Sequence, residues 1–74
     1  MNEEYLVGRL YYHSKTKRQY KLLGVARHSE TLESMVVYQA QYDERETWVR
    51  PATMWTEKVI VDGLEVPRFN LIEP

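Results

Sequence analysis

Seventy-four residues without a cysteine are expected to form one domain, residues 1–74, held by packing alone, because neither a disulfide nor a thiolate metal site is available. The formal net charge of −1 argues against a general nucleic-acid binder, which carries a basic surplus. No apolar run approaches the roughly 20 residues of a membrane span, and the acidic opening MNEEYLVGRL lacks the basic start and long apolar centre of a secretory signal. A reducing, cytoplasmic setting without membrane contact is therefore expected.

In chain order, GRLYYH (8–13) reads as a strand, with Leu10 and Tyr12 on one side and Arg9, Tyr11 and His13 on the other. SKTKRQ supplies a polar hairpin loop. YKLLGVARH (20–28) is a second strand, with Tyr20, Leu22, Gly24, Ala26 and His28 on one face. Its small residues Gly24 and Ala26 predict a bend or the close approach of another group. SETLES breaks the pattern, since its hydroxyls and carboxylates bond their own backbone and favour a turn. MVVYQAQY (35–42) then alternates Val36, Tyr38, Ala40 and Tyr42 against Met35, Val37, Gln39 and Gln41, a half-buried strand with an aromatic face.

DERE is a charged turn and TWVRP a brief strand ended by Pro51. PATMWTE predicts one helical turn that carries Met54 and Trp55 to the core. VIVDGLEV predicts a hairpin on Asp62-Gly63, pairing Val61 with Leu64 and Val59 with Val66 so that four apolar side chains share a face. Pro67 marks an edge or bulge, while Phe69, Leu71 and Ile72 close the core. No internal repeat stands out. The sum is an all-β fold, a small curled roll or barrel of five to six short strands with at most one helical turn.

Charge is spread unevenly. Residues 1–27 carry six basic side chains against Glu3 and Glu4, a balance of +4, and residues 28–74 carry nine acids against Arg45, Arg50, Lys58 and Arg68, a balance of −5. Complementary strands are the plain reading of that split, and a weak anion-facing patch on the first hairpin is the sharper one.

Several tetrapeptides in order resemble a known family. Tyr11, His13 and Lys15, then Tyr20, then Ala26, His28, Ser29, Glu30 and Thr31, then Val36, Val37 and Tyr38, then Trp48, Val49, Arg50 and Pro51, and finally Pro67, Arg68 and Phe69 resemble the bacterial family catalogued as domain of unknown function 1653. Two positions depart from its pattern: Thr16 follows the lysine where the family has glycine, in a loop that looks one residue longer, and Trp55 stands where phenylalanine is usual. The resemblance implies a small barrel of Src-homology-3-like character in a soluble bacterial or phage-associated protein, with no established activity.

The polar residues admit several readings. Neighbours in an extended chain point to opposite faces, so His28 and Ser29 do not make a base and nucleophile without a sharp turn. His13 and His28 with Glu30 or Glu33 make a weak metal set, and no metal or cofactor is expected. Against both stands a plainer reading, in which Ser29 and Thr31 cap the turn and the histidines bond backbone. Arg50 with Tyr38, Trp48 and His28 is chemically richer, because a guanidinium beside aromatic faces offers paired donors and a stacking plane to a carboxylate, phosphate or nucleobase. The same arginine serves equally as a pin to Glu30 or Glu33. Arg68 and Phe69 invite the same division, with Phe69 placed in the core.

The expectation is a non-enzymatic binding module whose groove, lined by Tyr11, His13, His28, Glu30, Tyr38, Trp48 and Arg50, takes a small anionic ligand, a peptide or a protein. One alternative is a hydrolase using His28 and Glu30 as acid and base. Another is a nucleic-acid module on the basic first hairpin, with Tyr11 and Tyr12 as stacking surfaces, disfavoured by the net charge. A third is a domain that pairs edge strands with its own copy, giving a monomer or weak homodimer. The groove supposes that the HSET bend folds against the WVRP strand.

Overall fold

Alternation in the chain becomes seven short strands and one helical turn in the structure, a computed structural model that describes residues 5–72. They are β1 (Leu10–His13), β2 (Gln19–Arg27), β3 (Ser34–Ala40), β4 (Thr47–Pro51), α1 (Ala52–Trp55), β5 (Lys58–Val61), β6 (Leu64–Pro67) and β7 (Phe69–Leu71). Five of them form one antiparallel sheet in the order β4-β3-β2-β1-β7, and β5 and β6 form a separate ribbon. The expected all-β class with a single helical turn is what forms. The seventh strand arises because Phe69–Leu71 pairs with β1 and does more than plug the core. Of the curled sheet and the barrel expected, the open curled sheet is what forms, with β4 and β7 as its two edges.

The curl follows from β2. Its register slips between Leu22 and Gly24, so Leu22 faces Tyr38, Gly24 faces Val37 and Val25 faces Val36. Leu23 is the extra residue of a β-bulge, which bends the strand and increases its twist. Of the two expectations for the small residues, the bend is observed. No close approach occurs, since nothing lies within 4 Å of where a Gly24 side chain would start. The slip also breaks the strict alternation expected across residues 20–28, moving Val25 to the face of Leu22 and Tyr20.

Directly opposed residues of antiparallel strands share a face. The register therefore gathers Tyr11, His13, Tyr20, Leu22, Val36, Tyr38, Trp48, Arg50, Phe69 and Leu71 on the concave side. There Leu22 and Val36 are fully buried, and Trp55 stacks flat on Phe69 at 3.9 Å between ring centres. α1 exists to deliver that indole. It starts directly after Pro51, whose missing N–H costs nothing at the end of an edge strand, and Trp55 is buried while Met54, expected beside it, is exposed.

The β5–β6 register is the expected one, with Val61 opposite Leu64 and Val59 opposite Val66, and both turn residues adopt positive φ, 52° at Asp62 and 79° at Gly63. Burial nevertheless fades along the ribbon. Val59 is buried, Val61 and Val66 are half-buried, and Leu64 at the tip is exposed, so the apolar face expected of all four is covered only at its base.

Candidate functional site

The HSET corner proves to be one of two copies of the same turn. In HSKTKR (13–18) and HSETLE (28–33) the histidine N–H donates to the carbonyl five residues on, at 2.9 Å for His13 and 2.8 Å for His28. The fifth residue's N–H returns to the histidine carbonyl, Lys17 at 2.7 Å and Leu32 at 2.8 Å, and both residues sit at φ 64°. Histidine Nδ1 accepts from the N–H two residues on, Lys15 and Glu30 at 3.1 Å each. The threonine Oγ1 accepts from the N–H of Arg18 at 3.3 Å and of Glu33 at 3.2 Å. A histidine and a threonine three apart thus satisfy the orphan donors of a tight hairpin. This local repeat corrects the absence of repeats expected from the sequence, whose signal was His-Ser-x-Thr at residues 13–16 and 28–31.

That finding divides the seven expected groove residues. His28 and Glu30 are exposed parts of the second turn, and no hydrogen bond or ion pair joins them to Arg50 among the described residues. The pin expected from Arg50 to Glu30 or Glu33 is not made; Arg50 Nε donates to the Tyr38 hydroxyl at 3.3 Å instead, with its guanidinium 5.6 Å over the Phe69 ring. The end of WVRP does lie beside the start of β3, Pro51 opposite Met35, but the Arg50 side chain turns to the concave face. His13 and His28 stand at opposite ends of the β1–β2 ribbon, because Tyr12 faces Gln19 and His28 lies beyond the far end of β2. Among the described residues no cluster of three metal-ligating side chains forms.

The other five residues share the concave face, in different roles. Tyr11 is buried in the core, edge-on to Trp55 at 5.4 Å, with its hydroxyl accepting from the Leu6 N–H at 3.2 Å. It lines no groove and offers no stacking surface to a base. Tyr38 is also buried but presents its hydroxyl to Arg50. His13 packs edge-on to Phe69 at 5.2 Å, so His13 and Arg50 reach the same ring from β1 and β4. Trp48 is half exposed and open to solvent on the edge strand.

Electrostatics single out one corner. Burial holds the His13 pKa below its ordinary value, and the positive charges of Arg68, Arg50 and Lys15 lower it further. With Nδ1 taken as an acceptor, the neutral imidazole keeps its proton on Nε2 and is a donor there. Arg68 pairs with Glu57 at 2.9 Å through one terminal nitrogen, yet its buried Nε has no hydrogen-bond partner among the described residues. A buried N–H without an acceptor is uncommon and calls for one. The pairing of Arg68 with Glu57 and the action of its charge on His13 were not legible in the sequence, because they arise where β6 gives way to β7.

Two further features were out of reach of the sequence. Ser14, assigned to a polar loop, is buried; its hydroxyl donates to the Pro67 carbonyl and accepts from Asn70 Nδ2 at 2.6 Å, fastening the end of β1 to the β6–β7 bend. Beside Trp48, a cavity of about 580 Å³ is lined by Arg18, Ala40, Tyr42, Arg45 and the acids of the β3–β4 loop. Arg18 lies 4.7 Å over the Tyr42 ring, and the Tyr42 and Tyr20 hydroxyls bond at 2.8 Å.

No curated protein matches this chain. A crystal structure of a DUF1653 protein from Bordetella bronchiseptica is similar at a TM-score of 0.81 and 30% identity, over 96% of this chain and 92% of that one. No helix among the described residues is long and apolar enough to cross a membrane. The model of the family described as protein of unknown function (DUF1653) matches residues 3–71, and the chain belongs to that family.

Proposed function

We propose that this domain is a binding module for an anionic group, seated between Arg50 and Arg68 beside His13 and Phe69. One observation carries the reading: the Arg50 guanidinium and the His13 imidazole meet the same Phe69 ring, the positive charges of Arg50 and Arg68 both bear on that imidazole, and Glu57 is paired with Arg68. Guanidinium N–H groups that lack a protein acceptor match a carboxylate or phosphate, whose oxygens accept paired charge-assisted bonds. The Phe69 ring under Arg50 holds the guanidinium plane in place. His28 Nδ1 is taken up by the turn and Glu30 contributes only its backbone N–H there, so the hydrolase reading has no acid–base pairing of these two side chains to support it.

The test is a titration of the isotope-labelled domain with inorganic phosphate, following amide and histidine-ring signals. Shifts are expected at His13, Arg50, Arg68 and Phe69, and Glu57→Gln, which removes the competing carboxylate, is expected to tighten binding severalfold. Shifts confined to residues 28–33, or no shifts, overturn the proposal.

A further inference from the structure

Resting on the anion reading, we infer that the ligand is a nucleoside 5′-phosphate, with its base on Trp48 in the β3–β4 cavity and its phosphate on Arg50. Trp48 and Arg50 are two residues apart on β4, opposite Tyr38 and Val36, and so share the concave face. Two strand residues cover about 7 Å, the scale of one ribose. The indole is 50% exposed in a chain whose other tryptophan is buried at 3%, and an exposed indole beside a cavity is a platform for a planar ring. The cavity, about 580 Å³, falls within the usual range for small-molecule sites.

Charge sets the orientation. The cavity end holds Asp43, Glu44 and Glu46 with Arg18 and Arg45, a surplus of one negative charge, whereas the Arg50 end holds Arg50, Lys15 and Arg68 against the single carboxylate of Glu57. A phosphate is repelled by the first set and attracted by the second. A base brings amino and ring N–H donors for the carboxylates and ring acceptors for the guanidiniums. Guanine offers both kinds of group, which makes guanosine 5′-monophosphate the appropriate probe. The proposal covers the free nucleotide and the 5′-terminal residue of a single strand, since the recognised chemistry is the same.

The experiment compares inorganic phosphate, guanosine, guanosine 5′-monophosphate and a 5′-phosphorylated oligonucleotide on the intact domain by calorimetry, with tryptophan fluorescence as second readout. Guanosine 5′-monophosphate is expected to bind at least about tenfold tighter than phosphate, in line with one stacked base, and to quench Trp48. Trp48→Ala is expected to bring nucleotide affinity down to that of phosphate and to leave phosphate binding unchanged. Trp48→Tyr keeps a platform and retains most of the gain, which separates stacking from damage to the fold. Arg50→Gln weakens both ligands. The oligonucleotide distinguishes a strand end from the free nucleotide as the source, either of which agrees with the proposal. A nucleotide no tighter than phosphate, or one indifferent to Trp48→Ala, overturns this inference and leaves the anion site standing. Failure of phosphate itself to bind overturns the anion reading.

Discussion

Replacing Arg50 by methionine separates a ligand-binding role from a scaffolding one. The substitution keeps an unbranched stem for packing and removes the charge. In the folded protein Arg50 contributes a 3.3 Å bond to the Tyr38 hydroxyl and a position 5.6 Å over Phe69. A bond to a charged group is worth about 1.5 to 3 kcal/mol, and its length and the half-exposed setting put this one near about 1 kcal/mol. The ring contact adds about 0.5 kcal/mol. The sum, about 1.5 kcal/mol, lowers the melting temperature of a domain this size by roughly 6 to 12 °C. Loss of two charge-assisted bonds to phosphate, by contrast, costs the ligand about 2 kcal/mol or more, roughly a thirtyfold weakening. Thermal denaturation followed by near-ultraviolet ellipticity and a phosphate titration of the same variant measure the two effects. A variant that melts as expected but binds phosphate like the parent refutes the ligand role. One that does not fold shows the guanidinium to be scaffold.

Ser14→Ala removes a buried hydroxyl that serves both Pro67 and Asn70, and is expected to cost about 2 to 3 kcal/mol, read as a lower urea midpoint at unchanged slope. An unchanged midpoint would show that the bridge stabilises nothing. Leu32→Gly relieves a left-handed backbone that costs a side chain about 1 to 2 kcal/mol against glycine's extra chain entropy of about 0.5 to 1 kcal/mol. A net gain of about 0.5 kcal/mol is expected in the same assay, and a loss would contradict the turn geometry. The folded pKa of His13 lies below the unfolded one, so the unfolded chain takes up its proton first as pH falls. Its contribution to stability is complete above about pH 6.5 and is lost as pH drops through that value towards the folded pKa. Phosphate in the corner favours the imidazolium and should raise that pKa. Ring-proton shifts of His13 in a His28→Gln background measure both, and a pKa at or above the ordinary value, or one that phosphate does not move, contradicts the reading.

Where neighbours along the chain decide an element, its residues were readable. Alternation at Val36, Tyr38 and Ala40 gave β3 with the buried face it has, and Asp62-Gly63 gave the turn and register of β5–β6. The capping of the HSET turn was legible in part, since His28 and Thr31 do bond backbone within reach. The groove was not. It joined His28 and Glu30 to Arg50 because their motifs are equally conspicuous in the sequence, although one set closes a hairpin and the other faces the core.

What the sequence determined by itself is therefore local: an all-β chain, the faces of β1 and β3, its tight turns and one helical turn carrying Trp55. Tertiary structure decided which faces meet. The bulge at Leu23 changes the parity of β2, the curl brings β7 over the concave side, and Phe69 then receives His13 from one strand and Arg50 from another. The buried Arg68 Nε and the cavity beside Trp48 likewise arise from segments distant in the chain. The physical reason is that side-chain periodicity reports each strand's own faces, while a register slip of one residue and the curvature it produces are set by the packing of the whole sheet.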